Sequence, residues 1–261
     1  MDSKLYRLDD LIRSKDKRSL IVDASAGLSL GTLPGLEDFE RAVRPVLPLA
    51  DGLVCSAGQL RRLSARTRHE AGLLVRMDWT NTLRDADFVL PPVEARRVAV
   101  LTPQAALDLG AVAMVSSFLL GYAEEIEAAC LYDIAQWALE GKARGLPLVV
   151  EVRATGSRVA IPDKAIELGA SYALEAGADV IAIPYSGIKS LKTIGEFVSV
   201  PLVLKPSTLE SARDELAQAL ETGAAGLWLD HSVFAQPDPP QVVQRFAAQV
   251  HQSEATPCKV G

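Results

Sequence analysis

The chain alternates short apolar runs with polar or Gly/Pro turns and amphipathic stretches, and eight such runs can be counted. They are SLIVDAS (19–25), GLVCSAG (52–58), AGLLVRMDWT (71–80), AVAMVSSFL (111–119), PLVVEVRA (147–154), ADVIAIPYS (178–186), PLVLKPS (201–207) and GLWLDHSVF (226–234). Nearly continuous runs rich in Val, Ile and Leu are what strands look like when both faces are covered, as in a parallel sheet flanked by helices. Helical segments fill the intervals at 36–46, 57–68, 103–109, 123–144, 162–176, 187–197, 209–221 and 239–250. Gly110, Gly145, Gly177 and Gly223 each follow a helical stretch and precede a strand, where a helix C-terminus wants a residue beyond its cap. Eight strands with eight helical connections predict a single (β/α)8 TIM barrel, one domain over residues 1–261. The segment before Ser19 reads as a short extra N-terminal helix closing the bottom of the barrel. An open dinucleotide-binding sheet is the competitor, but IVDASAG lacks the G-x-G-x-x-G phosphate loop.

Composition changes the picture mainly by exclusion. With 49% hydrophobic and 23% charged residues the chain has the make-up of an ordinary folded protein. Its 27 Lys plus Arg against 33 acids give a net charge of −6, too little basic surface to neutralise several phosphates, so nucleic acid is not an expected partner. Cys55, Cys130 and Cys258 are odd in number and widely spaced, which argues against a disulfide framework or a metal knuckle and suits a reducing cytoplasm. The N-terminus mixes charges of both signs and no run of 18 apolar residues follows, so neither secretion nor membrane insertion is expected. No cofactor fingerprint is written in the chain, and no metal is expected. A divalent ion would need Asp23, Asp78, Glu151 and Asp230 to converge from separate strands.

In such barrels the chemistry sits where strands end. Polar side chains there are Asp23 and Ser25, Arg76 and Asp78, Ser116, Glu151 and Arg153, Tyr185, Lys205, and Asp230 with His231. Side chains alternate along a strand, so Arg76 shares a face with Asp78, and Glu151 with Arg153. Asp230 and His231 reach the interior together only if the last strand has already ended.

Two stretches are similar to a known family. IVDASAGLSLGTLPGLED resembles a strand with Asp-His-Gly followed by a G-P-x-P-G-L-x-D loop, and IELGASYALEAGADVIAIPYSG resembles A-x-x-x-A-x-E-L-G-A-D-x-x-K-x-x-Y-T-G. GLPLVVEVRATG, LLVRMDWTNTL and GAAGLWLDHSVFAQPDPP support the match. The family is the class I aldolase group of archaeal-type fructose-bisphosphate aldolase, the LsrF-type thiolase and deoxyribose-phosphate aldolase. The resemblance implies a barrel, a small-molecule substrate and a homo-oligomer. It also implies losses. The family's Schiff-base lysine on the sixth strand falls at Ala182, which has no amine. Its phosphate-cradling glycines after the seventh strand fall at Pro206 and Ser207, and proline has no amide hydrogen to donate. The eighth-strand arginine that meets phosphate is replaced within Asp230, His231 and Ser232, where an aspartate repels phosphate.

Lys205, ending VPLVLKPS, resembles the lysine of the deoxyribose-phosphate aldolase seventh strand and is the candidate imine-forming residue or base. Desolvation at an enclosed strand end favours a free amine. The competing role is to neutralise Glu151, Asp78 or Asp230. Asp23 is read as acid/base or as a cap for the following loop. Asp78 with Arg76 forms either a substrate contact or an internal ion pair, and Glu151 with Arg153 offers the same choice. His231 titrates in a useful range or is simply solvated. Tyr185 is expected in the pocket wall, Ser116 and Asp230 among substrate contacts, and His69 and His251 on the surface. The 82–98 stretch reads as an insertion that covers the site or meets a neighbouring subunit. Together these residues predict an aldolase-like lyase acting on a small, non-phosphorylated carbonyl compound, suited to a specialised biosynthetic pathway. An acid/base isomerase, cyclase or decarboxylase without an imine is the first alternative, and a non-catalytic homologue the second.

Overall fold

A computed structural model describes residues 3–64, 67 and 72–252; His69 and Cys258 lie outside them. Eight parallel strands close into a barrel: β1 (Ser19–Asp23), β2 (Gly52–Cys55), β3 (Gly72–Arg76), β6 (Ala113–Leu120), β7 (Leu148–Ala154), β8 (Val180–Pro184), β9 (Leu202–Lys205) and β10 (Gly226–Leu229). The missing numbers belong to β4 (Asp78–Thr80) and β5 (Arg97–Ala99), a separate antiparallel pair at the barrel mouth. The predicted TIM barrel is therefore the fold. Its ring closes between β1 and β10, where Gly226 brings the two backbones so close that a Cβ would stand 1.9 Å from the Ser19 carbonyl oxygen.

The helices follow the predicted intervals with local exceptions. The chain adds α1 (Ser3–Leu11), α2 (Gly27–Leu30) and α3 (Phe39–Val43) early, then α4 (Ala57–Arg62) and α5 (Pro103–Asp108). The outer ring continues with α6 (Glu124–Arg144), α7 (Pro162–Glu175), α8 (Gly187–Phe197), α9 (Ala212–Glu221) and α10 (Pro239–Gln252). The helix expected over 36–46 shrinks to α3 because the Asp38 side chain accepts from the Arg41 amide and so starts the helix late. At α4 the Ser56 hydroxyl and the Gln59 side chain cap one another's backbone amides, a reciprocal box that starts the helix directly after β2. Gly145 ends α6 with φ of 65°, a conformation that costs glycine nothing, and its carbonyl accepts from Arg7 of α1 at 2.5 Å.

Two apolar layers hold the barrel. Between strands and helices lies the larger, with Leu20, Val22, Leu53, Val75, Leu148, Ile181, Leu204 and Leu229 turned outward. The interior is filled by Ile21, Val54, Leu74, Ala113, Val115, Val149, Val180, Ala182, Val203 and Trp228. Leu11 and Ile12, at the end of α1, plug this interior from below, as the expected closing helix should.

The same end carries a polar clamp that the sequence did not announce. His251, expected on the surface, is mostly buried and bridges Asp16 Oδ2 at 2.7 Å and Asp51 Oδ2 at 3.0 Å. Asp51 also accepts from Arg13 at 2.5 Å and from the Leu20 amide at 2.6 Å, so one carboxylate joins α10 to the start of β1. Burial disfavours the charged imidazole and Arg13 repels it, but the bonds to Asp51 and Asp16 outweigh both and raise its pKa above the ordinary 6.5. A raised value in the folded state contributes stability that is whole below about 6.5 and fades as pH climbs through the folded pKa. Thermal unfolding followed from about pH 6 to about pH 8.5 should therefore show a falling Tm, and His251→Gln should flatten that slope. An equal slope in both proteins would assign the pH dependence elsewhere.

Candidate active site

Residues that point inward at one level along a barrel strand are followed two residues later by inward residues one layer nearer the mouth. Above Ile21, Leu74, Val115, Val149 and Val203 therefore stand Asp23, Arg76, Ser117, Glu151 and Lys205, and these five meet. Arg76 is the hub. Its Nη1 donates to Glu151 Oε2 at 2.7 Å and to Ser117 Oγ at 3.2 Å, its Nη2 to Asp23 Oδ2 at 2.8 Å, and its Nε to Ser25 Oγ at 3.2 Å. Ser25 closes the circuit by donating its hydroxyl to Asp23 Oδ1 at 2.6 Å. Lys205 Nζ donates to the other oxygen of Glu151. Beneath them Trp228 forms a floor, with the Arg76 guanidinium 5.9 Å and Lys205 Nζ 5.6 Å from its ring centroid.

Electrostatics hold the hub ionised. Burial alone would raise the Glu151 carboxyl, but Lys205 and Arg76 beside it keep it well below the usual carboxylate range. Burial would likewise lower the Arg76 pKa, and the Glu151 and Asp23 charges more than reverse this. Ala182 lies between the two strands: Glu151 pairs with it on β7, and Val203 of β9 pairs with it on the other side. Its methyl group leaves the gap across which Glu151 and Lys205 join hands.

The Asp78–Arg76 ion pair foreseen in the sequence does not form. Strand β3 ends at Arg76, and Asp78 Oδ2 instead accepts from Arg97 Nε at 2.9 Å and from the Ser117 amide at 2.7 Å. Arg97, which sequence reasoning passed over, comes from β5 inside the insertion. It also binds Asp133 of α6 at 2.7 Å and lies 5.6 Å over Trp137. Asp78 Oδ1 is buried with no hydrogen-bond partner among the described residues.

Other expected contacts take different places. Ser116 faces out of the barrel and bonds Arg97 Nη2 at 3.1 Å, because the interior parity of β6 runs through Ala113 and Val115 to Ser117. Tyr185 is not in the cavity lining; its hydroxyl donates to Gln218 on α9. Strand β10 stops at Leu229, and His231–Ala235 turns into a short 3-10 segment, so Asp230 and His231 both line the mouth. Asp230 is spent there as a cap, accepting from the Ser232 amide at 2.9 Å and its hydroxyl at 2.5 Å. The insertion covers the site from one side: Leu83 lines the cavity, and Arg84 donates to the Ser29 carbonyl at 2.9 Å.

These residues enclose a cavity of about 90 Å³, small beside the several hundred typical of ligand pockets. A larger groove of about 840 Å³ runs between α9 and α10 and shares no lining residue with this cavity. Among the described residues no three His, Cys, Asp or Glu side chains gather to hold a metal ion. Asp23, Glu151 and Asp78 each face a guanidinium or ammonium. Cys55 and Cys130 are buried, and burial pushes the Cys130 thiol up to about 11 and raises that of Cys55 as well, so neither offers a thiolate.

The family described as DeoC/LacD family aldolase matches residues 16–228, most of the chain. The chain belongs to the DeoC/LacD aldolase family. This DeoC/LacD member is 28% identical over 249 residues to the 2-amino-3,7-dideoxy-D-threo-hept-6-ulosonate synthase of Halobacterium salinarum, covering 91% of this chain and 88% of that one. It is 25% identical over 257 residues to the 3-hydroxy-5-phosphonooxypentane-2,4-dione thiolase of Salmonella paratyphi A, covering 97% and 83%. A Schiff-base-forming fructose-1,6-bisphosphate aldolase superposes with a TM-score of 0.80 at 22% identity, over 95% of this chain and all (100%) of that one. An archaeal fructose-1,6-bisphosphate aldolase gives 0.77 at 22%, over 95% and 98%. At that identity the superpositions speak for the fold alone. No described helix of this DeoC/LacD barrel is long and apolar enough to cross a membrane.

Proposed function

We propose that the protein is an aldolase-type lyase that makes or breaks a carbon–carbon bond in a small, non-phosphorylated carbonyl compound, with Lys205 as its imine-forming residue. The observation that carries this reading is the position of Lys205: its ammonium hangs over Trp228 in the barrel mouth, bonded to Glu151 across the alanine that replaces the family's lysine. With 22% of its side chain exposed, Lys205 is open to an incoming carbonyl. In its neutral form the amine adds to the substrate carbonyl carbon, and the carbinolamine loses water to give an iminium. Loss of a proton from the adjacent carbon yields an enamine, which attacks an aldehyde; hydrolysis then releases the product and restores the amine. Asp78, a carboxylate among the cavity-lining residues, is the group assigned to take that proton.

The non-phosphorylated substrate rests on the ends of β9 and β10, where barrels of this kind hold phosphate on backbone amides. Here the chain occupies those amides itself. The Ser207 amide donates to Glu215 Oε2 at 2.8 Å, the Ser232 amide donates to Asp230, and Pro206 has no amide hydrogen. A homo-oligomer belongs to the same reading: α6 and α7 leave Leu131, Tyr132, Leu139, Leu168 and Tyr172 exposed.

One feature favours the reading without an imine, as an isomerase, cyclase or decarboxylase: Lys205 is ion-paired, the state of a residue that serves by its charge. Sodium borohydride with a panel of small ketones and aldehydes separates the two. An irreversible mass increase mapped to Lys205 is expected; turnover that continues with no trapped adduct would remove the imine.

A further inference from the structure

Four cations serve the site, and three of them are committed. Arg76 uses each of its nitrogens on Asp23, Glu151, Ser25 and Ser117, Arg97 is held by Asp78, Asp133 and Ser116, and Lys205 is bonded to Glu151. Arg153 lines the same cavity, and its side chain makes no hydrogen bond or ion pair among the described residues; its charge only adds to the field on Glu151. A guanidinium presents five N–H donors in a fork that matches a carboxylate.

Its height in the barrel is fixed by register. Glu151 is level with Ala182 and Val203, and Pro184 is level with Lys205. Arg153, two residues beyond Glu151 on the same face, therefore stands level with Lys205, with β8 alone between their strands. At about 4.8 Å per strand spacing the two backbones are roughly 10 Å apart. Both side chains lean into the small cavity, so their heads can meet a ligand only a few atoms long.

We propose that Arg153 receives a substrate carboxylate and that the substrate class is a short 2-oxo acid of three or four carbons. Its carbonyl carbon would lie at Lys205 and its carboxylate on the Arg153 fork. This inference rests on the Lys205 reading for the carbonyl, and on Arg153 alone for the anion. A phosphate dianion is the poorer fit, since the amides that would share its charge are filled and Asp230 stands at the rim. A carboxylate needs only one planar fork.

Two measurements on the full-length protein test it. In borohydride trapping, pyruvate should label Lys205 at a half-saturating concentration at least tenfold below that of hydroxyacetone, and below that of dihydroxyacetone phosphate. Arg153→Gln should cut the pyruvate preference about tenfold or more, and Arg153→Lys should restore part of it, as expected when a bidentate fork becomes a point charge. In calorimetry, oxamate, an isostere that forms no imine, should bind the wild type and weaken at least tenfold in Arg153→Gln. Equal weakening of pyruvate and hydroxyacetone labelling, or preference for the phosphorylated ketone, overturns the carboxylate assignment. Oxamate bound through Arg153 with no ketone adduct supports the carboxylate receptor and removes the imine. Ketone adducts at Lys205 with oxamate binding unmoved by Arg153→Gln do the reverse.

Discussion

Lys205→Met is expected to abolish the borohydride adduct and to lower kcat by about 10³-fold or more for any carbonyl substrate that labels the wild type, because among the described residues lining the cavity Lys205 alone carries an amine. The fold should survive the change. Methionine replaces the aliphatic stem over Trp228, and Glu151 keeps its bond to Arg76. Lys205→Arg sharpens the result. It preserves a cation for Glu151 but supplies a guanidinium that does not deprotonate, so an imine enzyme should be as inactive as with methionine. If the arginine variant kept most of its activity, the residue would be acting by charge, and the acid/base reading would replace the imine.

Arg76→Met is the change expected to cost the most stability. The guanidinium is buried with Asp23 and Glu151, and removing one member of such a cluster leaves charge without a partner where water cannot replace it. Losses of this kind run to about 3–5 kcal/mol. Urea unfolding should show the midpoint falling with an unchanged m value. Neutralising the acid left without a cation, by adding Asp23→Asn, should return at least half of the loss, since Glu151 keeps Lys205 and a neutral buried group is far less expensive than an unpaired charge. A double variant no more stable than Arg76→Met would place the cost in lost packing against Trp228 instead.

The barrel was legible because its strands are covered on both faces, so each wrote itself into the sequence as an unbroken apolar run. What ended those runs was harder to see. Asp230 looked like a continuation of GLWLD, yet its carboxylate turns back on the Ser232 amide and stops the strand one residue earlier. Alternation placed Glu151 and Arg153 together correctly within β7, but it cannot say which of two adjacent serines is the inward one, and Ser117 rather than Ser116 proved to be so. Pairing across the structure was out of reach for the same reason. Arg97 lies 19 residues from Asp78 and reaches it only because β4 and β5 fold into a hairpin, and His251 finds Asp51 at a separation of 200 residues. Charges announce themselves in a sequence; their partners are a property of the closed ring.

The carboxylates of Glu215 and Asp230 have one more consequence. Each sits on a backbone amide that a visiting anion would need. A tethered competitor is present at an effective concentration set by its own short tether, and dilution does not lower it. A solute phosphate must displace a residue that never diffuses away, whereas a ligand that grips a side chain displaces nothing. On the proposed reading, the two carboxylates raise the apparent dissociation constant for a phosphate by a fixed factor, the same at every protein concentration.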